Sequence, residues 1–332
     1  MREVIPNGGD MSVCIVGGAG FIGSHFADAL LALPRTRLLT IFDNFSSGRE
    51  HHFAHHSADP RLQVVRCDAA NLSSLTDAIR GHNLVIHLAS NPDIARAVTE
   101  PEIDFHQGTL LTHNVVEAMR RAGVDRLLYA SGSGVYGERG ETLLNEASTP
   151  LQPVSTYGAS KLAGEALIAS YCAMFGLTAG AFRFANVVGA RQTHGVGFDF
   201  LRRLRQDPTH LRILGDGRQS KSYVHVSDVV SAVLLANVRV NGGFHVWNVA
   251  TSDTITVTEI AELAVETLGI NPQPRFDYTG GDRGWKGDVP IVRLDSSRIR
   301  ALGWTPQFNS REAMRQSLND MAQERVDDCV PA

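Results

Sequence analysis

The sequence predicts an α/β fold built on a doubly wound parallel sheet, with a smaller C-terminal lobe. Short apolar runs rich in β-branched residues alternate with stretches whose apolar residues recur at helical spacing. Because parallel strands need a crossover, usually a helix, this alternation indicates a parallel sheet. After residue 186 glycines and prolines become frequent, which predicts a second lobe over the carboxyl edge of the sheet. The strand-like runs are 12–17, 38–43, 62–68, 84–90, 126–131 and 177–184.

The composition limits the classes of function. Of 332 residues, 43% are hydrophobic, which is enough for a substantial core and argues against disorder. With 31 Lys and Arg residues against 35 Asp and Glu residues, the net charge of −4 lacks the basic field of a nucleic-acid binder. Four scattered cysteines without a CxxC spacing, and the lack of an apolar run near the roughly 18 residues of a membrane span, predict a reduced, cytoplasmic protein.

A glycine-rich turn follows the first strand-like run. The stretch GGAGFIG places Gly17, Gly20 and Gly23 where a backbone approaches a pyrophosphate at a helix N-terminus. An ordinary tight turn would explain the glycines alone. Asp43, which ends the second strand twenty residues later, suits a ribose 2′-hydroxyl and would repel a 2′-phosphate. We therefore predict NAD rather than NADP, although Arg49 could accommodate that phosphate.

The stretch STYGASK places Tyr157 and Lys161 on one face of a predicted helix that Ser155 caps. A nearby ammonium and a cationic nicotinamide would both favour the phenolate of Tyr157. The phenolate could then remove a hydroxyl proton while hydride leaves the same carbon. An amphipathic surface helix is the alternative, and the glycine turn with Asp43 makes it the weaker one.

The stretch HHFAHH pairs His51 with His55 and His52 with His56 at helical spacing, a geometry that can chelate a metal. No carboxylate or cysteine in the sequence pattern completes a site. We therefore predict a solvated face and no metal.

In order along the chain, the stretches GGAGFIGS, DNFSSGR, HLAS, VYG, YGASK, RFANVVG, LGDGRQSKSYVHVSD and GWKGDVP resemble an extended short-chain dehydrogenase/reductase. The chain is similar to the NAD-dependent nucleotide-sugar epimerases of UDP-glucose 4-epimerase type from about residue 12 to 318. This resemblance implies a Rossmann domain that holds NAD, a C-terminal lobe that binds a nucleotide sugar, and a homodimer formed around helices near 104–121 and 158–175.

The sequence pattern predicts how the chain is divided, and the resemblance implies what each part binds. We expect residues 1–10 to be a disordered extension and 11–185 to be the NAD-binding Rossmann domain, to which 226–250 returns. Residues 186–225 and 251–330 are then the nucleotide-sugar-binding lobe.

The resemblance assigns roles position by position. Tyr157 matches the catalytic base, and Lys161 matches the residue that binds the nicotinamide ribose. The implied cofactor-binding residues are Gly17, Gly20, Phe21, Ile22, Gly23, Asp43, Asn44, Ser46, Gly48, Asp68, Ala69, Leu88, Ala89, Ser90, Ala130, Tyr157, Lys161 and Phe184. The implied substrate-binding residues are Gly132, Asn186, Arg218, Lys221, Arg283, Trp285 and Asp288.

One departure from the family concerns the catalytic hydroxyl. The family places a Ser or Thr four residues before the Tyr of VYG, and this chain has Gly132 there. Ser131 and Ser133 are the catalytic candidates, although strand alternation should point both away from the side on which residue 132 faces. A backbone bend, Thr156, an ordered water, or a reaction that needs only Tyr157 would also resolve the loss.

Other departures affect binding. The helix Asn of the family falls on Gly108, and its phosphate-binding Arg is Lys221. A second family Arg is Trp285, which could stack on a base, and this leaves Arg218 and Arg283 as nearby substitutes.

The same turn separates the possible reactions. The related 4,6-dehydratases carry an Asp-Glu pair where this chain has Ser133 and Gly134, and the related decarboxylases hold a Glu at the second position. C4 epimerisation through a transient 4-keto sugar needs neither acid, so we predict a UDP-hexose 4-epimerase. The alternatives are another nucleotide-sugar enzyme (a reductase, a C2 or C3,5 epimerase, or a dehydratase) and a catalytically weak NAD-binding regulator.

Overall fold

The architecture comes from a computed structural model, which describes residues 9–239, 241–284 and 287–324. The strands are β1 (Met11–Val16), β2 (Thr36–Asp43), β3 (Leu62–Arg66), β4 (Leu84–His87), β5 (Arg126–Gly132), β6 (Leu143–Leu144), β7 (Thr178–Phe184), β8 (Asn186–Val188), β9 (His210–Ile213), β10 (Ser220–Lys221), β11 (Tyr223–His225), β12 (Gly243–Val249), β13 (Ile255–Thr256), β14 (Arg275–Tyr278) and β15 (Arg293–Leu294). The helices are α1 (Phe21–Leu31), α2 (Leu72–Ile79), α3 (Leu111–Ala122), α4 (Thr156–Phe175), α5 (Val196–Gln206), α6 (Val226–Asn237), α7 (Val257–Leu268), α8 (Ser297–Arg300) and α9 (Ser310–Gln323). A π-helical segment, Phe105–Leu110, leads into α3, and 3₁₀ turns occur at Glu50–His52, Ala54–His56, Ile94–Val98 and Ser133–Tyr136.

Within the described residues, seven strands form one parallel sheet in the order β12-β7-β5-β4-β1-β2-β3. The predicted doubly wound α/β fold is confirmed. The chain builds outward from β1 to β2 and β3, then crosses back to β4, β5 and β7, so the order reverses between β1 and β4. Ligands of open α/β sheets bind at the carboxyl ends of the strands beside such a switch point. The glycine turn after β1 lies at this place.

The six predicted strands correspond to β1 to β5 and β7, with differences only at their ends. The run 84–90 leaves the sheet after His87 because the amides of Leu88 and Ala89 both bond to the carbonyl of Val16. The strand β12 was not predicted. In the described part of the chain it lies at the sheet edge and pairs with β7 alone, and its first residues are partly exposed.

Both faces of the sheet are covered. Along β1, Val13 and Ile15 belong to one hydrophobic cluster, and Cys14 and Val16 belong to another. The first cluster includes residues of α1 and α6, and the second includes residues of α2, α3 and α4. This is the alternation expected of a buried parallel strand, and it explains why these strands read as continuous apolar runs.

A separate core stabilises the C-terminal region. Side chains of α5, α7 and α9 pack together with those of β9 and β11 in a third hydrophobic cluster. Because α6 contacts α1 and β12 extends the main sheet, 226–250 associates with the first part of the chain. We retain the division into 11–185 with 226–250, and 186–225 with 251–330, as a proposal. Residues 1–8, most of the predicted extension, and residues 325–330 lie outside the described residues.

No helix in the described part of the chain is long and apolar enough to cross a membrane. Cys14, Cys67 and Cys172 are free thiols, and Cys329 lies outside the described residues.

Candidate active site

A cleft of about 1230 Å³ opens at the carboxyl ends of the sheet strands, beneath residues of the C-terminal region. Its volume exceeds the range of roughly 300 to 1000 Å³ that a single small ligand occupies, so it can hold two ligands side by side. All predicted site residues that the structure describes line this cleft, except Gly48, Arg218 and Arg283.

The glycine turn fits a pyrophosphate closely. Gly17 has a φ of +83°, and a Cβ there would lie 2.5 Å from the amide nitrogen of Ala89. A Cβ at Gly23 would lie 2.6 Å from the carbonyl oxygen of Gly17, so the turn must pack directly against α1. Helix α1 begins after Gly20 without a side-chain cap and without an acidic residue in its first turn. Its free amides and positive dipole end are therefore available to an anion.

Asp43 lies at the end of β2, and its carboxylate is fixed by two backbone amides. Ala19 donates to Oδ2 at 2.9 Å and Phe45 donates to Oδ1 at 2.7 Å. Burial raises the pKa of Asp43, while these two hydrogen bonds act in the opposite direction. Each oxygen keeps a second lone pair, so the carboxylate can still accept from a ribose hydroxyl in the cleft. Arg49 lines the same part of the cleft.

The neighbouring loops support this end of the cleft. The side chain of Asn44 donates to Asp68 at 2.8 Å, which joins the loops that follow β2 and β3. Gly48 does not line the cleft, because it packs against the glycine turn: a Cβ there would lie 2.7 Å from the Cβ of Ala19. These residues, together with the glycine turn and Asp43, fit an adenine dinucleotide.

Tyr157 and Lys161 lie on the first turns of α4, and the predicted cap is confirmed because the Ser155 hydroxyl accepts from the Gly158 amide at 3.1 Å. The Nζ of Lys161 donates to the carbonyl oxygen of Ala130 at 2.9 Å and lies 5.4 Å from the centre of the Tyr157 ring. Lys161 is 4% exposed. One side of the ammonium is thus fixed to β5, and the side chain lines the cleft.

The protonation of this pair differs from the expected one. Burial raises the pKa of Tyr157 to about 12, and the hydroxyl of Ser90 only partly opposes this effect. Burial also lowers the pKa of Lys161 to about 8, against the attraction of Asp104. In the protein alone, desolvation therefore has a larger effect on the pKa of Tyr157 than the Lys161 ammonium, which was expected to favour the phenolate.

Residue 132 keeps an extended backbone. Gly132 has a φ of −158°, and an added Cβ would meet no atom within 4 Å. The backbone is therefore not bent at this glycine itself. The hydroxyl of Ser131 donates to Glu165 at 2.6 Å, and Glu165 is not among the residues that line the cleft, which agrees with strand alternation. This bond contradicts the assignment of Ser131 as a catalytic donor.

Glu165 in turn forms a buried ion pair with Arg183 of β7, with N to O distances of 2.7 and 3.0 Å. Thr156, another candidate donor, is likewise occupied, because its hydroxyl donates to the buried Asp104 at 2.7 Å. Ser133 begins the 3₁₀ turn after β5 and lines the cleft, half-buried.

The glycine at position 108 has a packing reason. A Cβ at Gly108 would lie 2.6 Å from the hydroxyl oxygen of Ser160, so the π-helical segment approaches α4 closely there. An Asn at this position could not be accommodated without a shift of the helices. The missing Asn therefore reflects a closer contact between two helices.

On the substrate side, Lys221 and Asp288 form an ion pair at 2.6 Å inside the cleft lining, and Asn186 also lines it. Arg218 is exposed and outside the lining, and Arg283 instead donates to both carboxylate oxygens of Glu138 at 2.9 Å. Neither arginine is presented to the cleft, which contradicts the prediction that they substitute for the missing family arginine. Trp285 lies outside the described residues.

Sequence reasoning missed the loop that connects β8 with α5. Gln192, Thr193 and His194 line the cleft, and the Oε1 of Gln192 is buried without a hydrogen-bond partner among the described residues. Arg203 of α5 lines it as well. The available signal was position, since this loop follows β8, which directly continues the chain from the carboxyl end of β7.

The four clustered histidines are not arranged as the sequence predicted. Two 3₁₀ turns replace the predicted helical spacing, so His55 and His56 both approach Oδ1 of Asp28, each at 2.8 Å. These three residues could hold a metal ion, which corrects the expectation that no carboxylate joins the histidines. Arg191 binds the other oxygen of Asp28 at 2.8 Å, and this cation opposes a metal ion. We interpret the group as an ion-pair network.

Comparison with known proteins agrees with this site. The NAD dependent epimerase/dehydratase family matches residues 13–250. A UDP-glucose 4-epimerase from Mycolicibacterium smegmatis is 32% identical over 318 residues, which cover 93% of this chain and 97% of that protein. A crystal structure of a UDP-galactose 4-epimerase superposes with a TM-score of 0.83 at 35% identity, and covers 94% of this chain and 99% of that one.

A dTDP-glucose 4,6-dehydratase from Streptomyces venezuelae, whose crystal structure contains NAD, superposes with a TM-score of 0.86 at 26% identity, over 95% of this chain and 98% of that one. Both kinds of reaction named in the family are thus represented among its structural neighbours. The family match spans more than two thirds of the sequence and includes the glycine turn, Asp43, Tyr157 and Lys161. The chain therefore belongs to the NAD dependent epimerase/dehydratase family, and its cofactor is NAD.

Proposed function

We propose that this NAD-dependent nucleotide-sugar epimerase inverts C4 of a UDP-hexose through a transient 4-keto sugar. The observation that carries the proposal is the placement of Tyr157 and Lys161 in one cleft with the glycine turn, without an acidic residue at positions 133 and 134. The relatives named as UDP-glucose and UDP-galactose 4-epimerases support it.

The residues of the cleft have different roles in this reaction. NAD bound at the glycine turn supplies the hydride acceptor and donor, and its cationic ring favours the phenolate of Tyr157. Tyr157 takes the proton of the sugar 4-hydroxyl and returns it after the ketone has been reduced from its other face. Lys161 fixes the ribose side of the site, and Lys221 neutralises substrate phosphate. The large cleft gives the keto sugar room to turn over.

The reaction of the dehydratase relative fits the residues less well. Elimination of water needs an acid for the departing hydroxyl and a base for the neighbouring carbon. Ser133 and Gly134 provide neither group. An NAD-binding regulator without turnover would not need Tyr157 and the buried Lys161 in the cleft.

The test is incubation of the purified protein with UDP-, GDP-, CDP- and dTDP-sugars, with the products identified by NMR. We expect interconversion of C4 epimers of a UDP-hexose without added cofactor. A 4-keto-6-deoxy product would favour the dehydratase alternative. Firmly bound NAD without turnover of any sugar would favour the regulator.

We also propose a homodimer that packs through α3 and α4, as the family resemblance implies. Apolar side chains on and before these helices support it: Phe105, Met174 and Phe175 are 56%, 72% and 47% exposed. Light scattering should give twice the chain mass, and Met174→Glu should reduce it to the monomer mass. A monomeric parent protein would contradict this proposal.

A further inference from the structure

Ser90 carries a hydroxyl that is shielded from solvent and has no hydrogen-bond partner among the described residues. Buried polar side chains nearly always have a partner, so an unpaired one requires an explanation. Ser90 follows β4 at the carboxyl edge of the sheet and lines the cleft. Its free hydroxyl is therefore available to a molecule that enters the cleft or to a neighbour that changes its protonation.

Ser90 follows β4 and Gly132 ends β5, and these neighbouring strands pair as far as His87 and Tyr129. The chain leaves the sheet after His87, so Ser90 lies in the loop beyond the paired part of β4. Both Ser90 and Gly132 line the cleft. A hydroxyl at position 90 can therefore reach the cleft from the loop next to the strand that carries Gly132.

The neighbour of Ser90 is Tyr157. The Ser90 hydroxyl forms no well-aligned hydrogen bond to Tyr157, but it lies near enough to lower the pKa of the phenol, against the larger effect of burial. A donor lowers a phenol pKa when it stabilises the phenolate. Ser90 is thus suited to act on the form of Tyr157 that removes a proton.

Two of the other hydroxyls near position 132 are occupied. Ser131 donates to Glu165 and Thr156 donates to Asp104. Ser133 lines the cleft, but among the described residues only the Ser90 hydroxyl of this pair is both shielded from solvent and without a partner. Ser90 is therefore the stronger candidate, and Ser133 is the residue to compare with it.

We propose that Ser90 is a catalytic residue and supplies the hydroxyl that position 132 lacks. It donates a hydrogen bond to the Tyr157 phenolate and, once the phenolate has taken the sugar proton, to the reacting sugar oxygen. Ser90 keeps its own proton throughout, because Tyr157 receives the proton of the sugar hydroxyl. This inference rests on the proposed epimerase function.

The test compares Ser90→Ala with Ser133→Ala in the NAD-bound enzyme. We expect Ser90→Ala to lower kcat by about tenfold to a hundredfold. The acid limb of its pH profile should move to higher pH, because the phenolate loses the bond that lowers its pKa. The affinity for NAD should stay within about twofold of the parent value. If Ser90 served only to bind NAD, the variant would instead have a lower affinity for NAD. The matched control is Ser170→Ala on the exposed face of α4, where the hydroxyl bonds only to the Leu167 carbonyl.

The hydroxyl can also be moved. Because Gly132 is extended and an added Cβ meets nothing within 4 Å, Gly132→Ser should be tolerated. In the Ser90→Ala background it should restore most of the lost kcat. Parent-like kcat and pH profile in Ser90→Ala, or a loss confined to Ser133→Ala, would overturn the inference.

Failure of the proposed function has a different signature, since the parent enzyme would then turn over no nucleotide sugar. In that case the phenol of Tyr157 is titrated by ultraviolet difference spectroscopy in the NAD-bound protein, with Tyr157→Phe identifying its signal. Ser90→Ala should raise the pKa of this phenol. An unchanged phenol pKa would overturn the role of Ser90 independently of the reaction.

Discussion

At the scale of single residues, the site depends on two groups that burial holds away from their ordinary protonation. Burial raises the pKa of Tyr157 to about 12 and lowers the pKa of Lys161 to about 8. Both shifts favour the neutral form of the side chain. A cofactor with a positive ring changes this balance, so proton removal becomes coupled to cofactor binding.

Replacement of Tyr157 by Phe should lower kcat by a factor on the order of 10² to 10⁴. The ring that packs at the start of α4 is retained, and only the ionisable hydroxyl is lost. NAD content after purification and the thermal unfolding midpoint should stay near parent values. Turnover at a near-normal rate would remove Tyr157 from the mechanism.

The stability of NAD-free protein should depend on pH through Lys161. The folded pKa of about 8 lies below the unfolded value of 10.5, so between these values the unfolded chain binds more protons and stability rises with pH. Lys161→Met removes this dependence. The free energy of unfolding of the parent, relative to Lys161→Met, should rise by about 1 to 2 kcal/mol between about pH 7 and pH 9.5.

Urea unfolding at several pH values measures this difference. Above about pH 10 the raised pKa of Tyr157 acts in the opposite direction, because there the folded state binds more protons. A constant difference across the range would show that Lys161 keeps an ordinary pKa in the folded protein.

At the scale of secondary-structure elements, a buried ion pair joins α4 to the sheet. Glu165 and Arg183 are both nearly inaccessible, with side chains 5% and 4% exposed, and Ser131 of β5 completes the group. Removing one partner of a buried pair leaves an unpaired charge in a poorly solvated place. This arrangement explains why the serine of the catalytic turn serves the fold rather than the reaction.

Glu165→Gln should therefore destabilise the protein by about 3 to 5 kcal/mol in urea unfolding. The double variant Glu165→Leu with Arg183→Met should cost less, because it leaves no charge behind. The matched control is Asp77→Asn, which breaks an exposed pair with Arg80 and should change stability by less than about 1 kcal/mol. Equal effects of Glu165→Gln and Asp77→Asn would contradict the importance of burial.

The local pattern of apolar residues predicted those strands and helices that are buried along their length. Strands β1, β2 and β5 read directly as apolar runs, and the capped start of α4 was visible at Ser155. The edge strand β12 was not predicted, because polar and partly exposed residues interrupt its apolar pattern. Its place is determined by pairing with β7, which is distant in sequence.

At the scale of the whole molecule, the sequence predicted residues that line the cleft around the glycine turn, but it did not predict which side chains of the C-terminal region face the cleft. The glycine turn and Asp43 sit at fixed points of a parallel sheet, so their positions follow from the fold. Arg218 and Arg283 lie on long connections, where local sequence does not determine the direction of a side chain. The pairing of Arg283 with Glu138 is a contact across 145 positions.

NAD and the nucleotide sugar should bind to different parts of the chain, and a variant of Lys221 can distinguish the two binding sites. Lys221 lies on β10 in the C-terminal region, 21% exposed and paired with Asp288, whereas the residues that fit NAD precede it in the sequence. UDP at a hundred times its dissociation constant should stabilise the parent by about 2.7 kcal/mol and raise the unfolding midpoint by several degrees. Lys221→Ala should lose most of this shift and keep the shift caused by NAD.

Two further variants complete this test. Lys221→Ala also leaves Asp288 unpaired, and its charge would repel a phosphate, so adding Asp288→Asn separates the lost cation from the exposed anion. Lys221→Arg should retain UDP binding, because a guanidinium can hold a phosphate with two hydrogen bonds. Arg315→Ala, which removes an exposed arginine of α9 paired with Glu266, is the control and should leave both shifts intact. If Lys221→Ala keeps the full UDP shift, the phosphates bind elsewhere in the cleft, and Arg203 becomes the cation to test next.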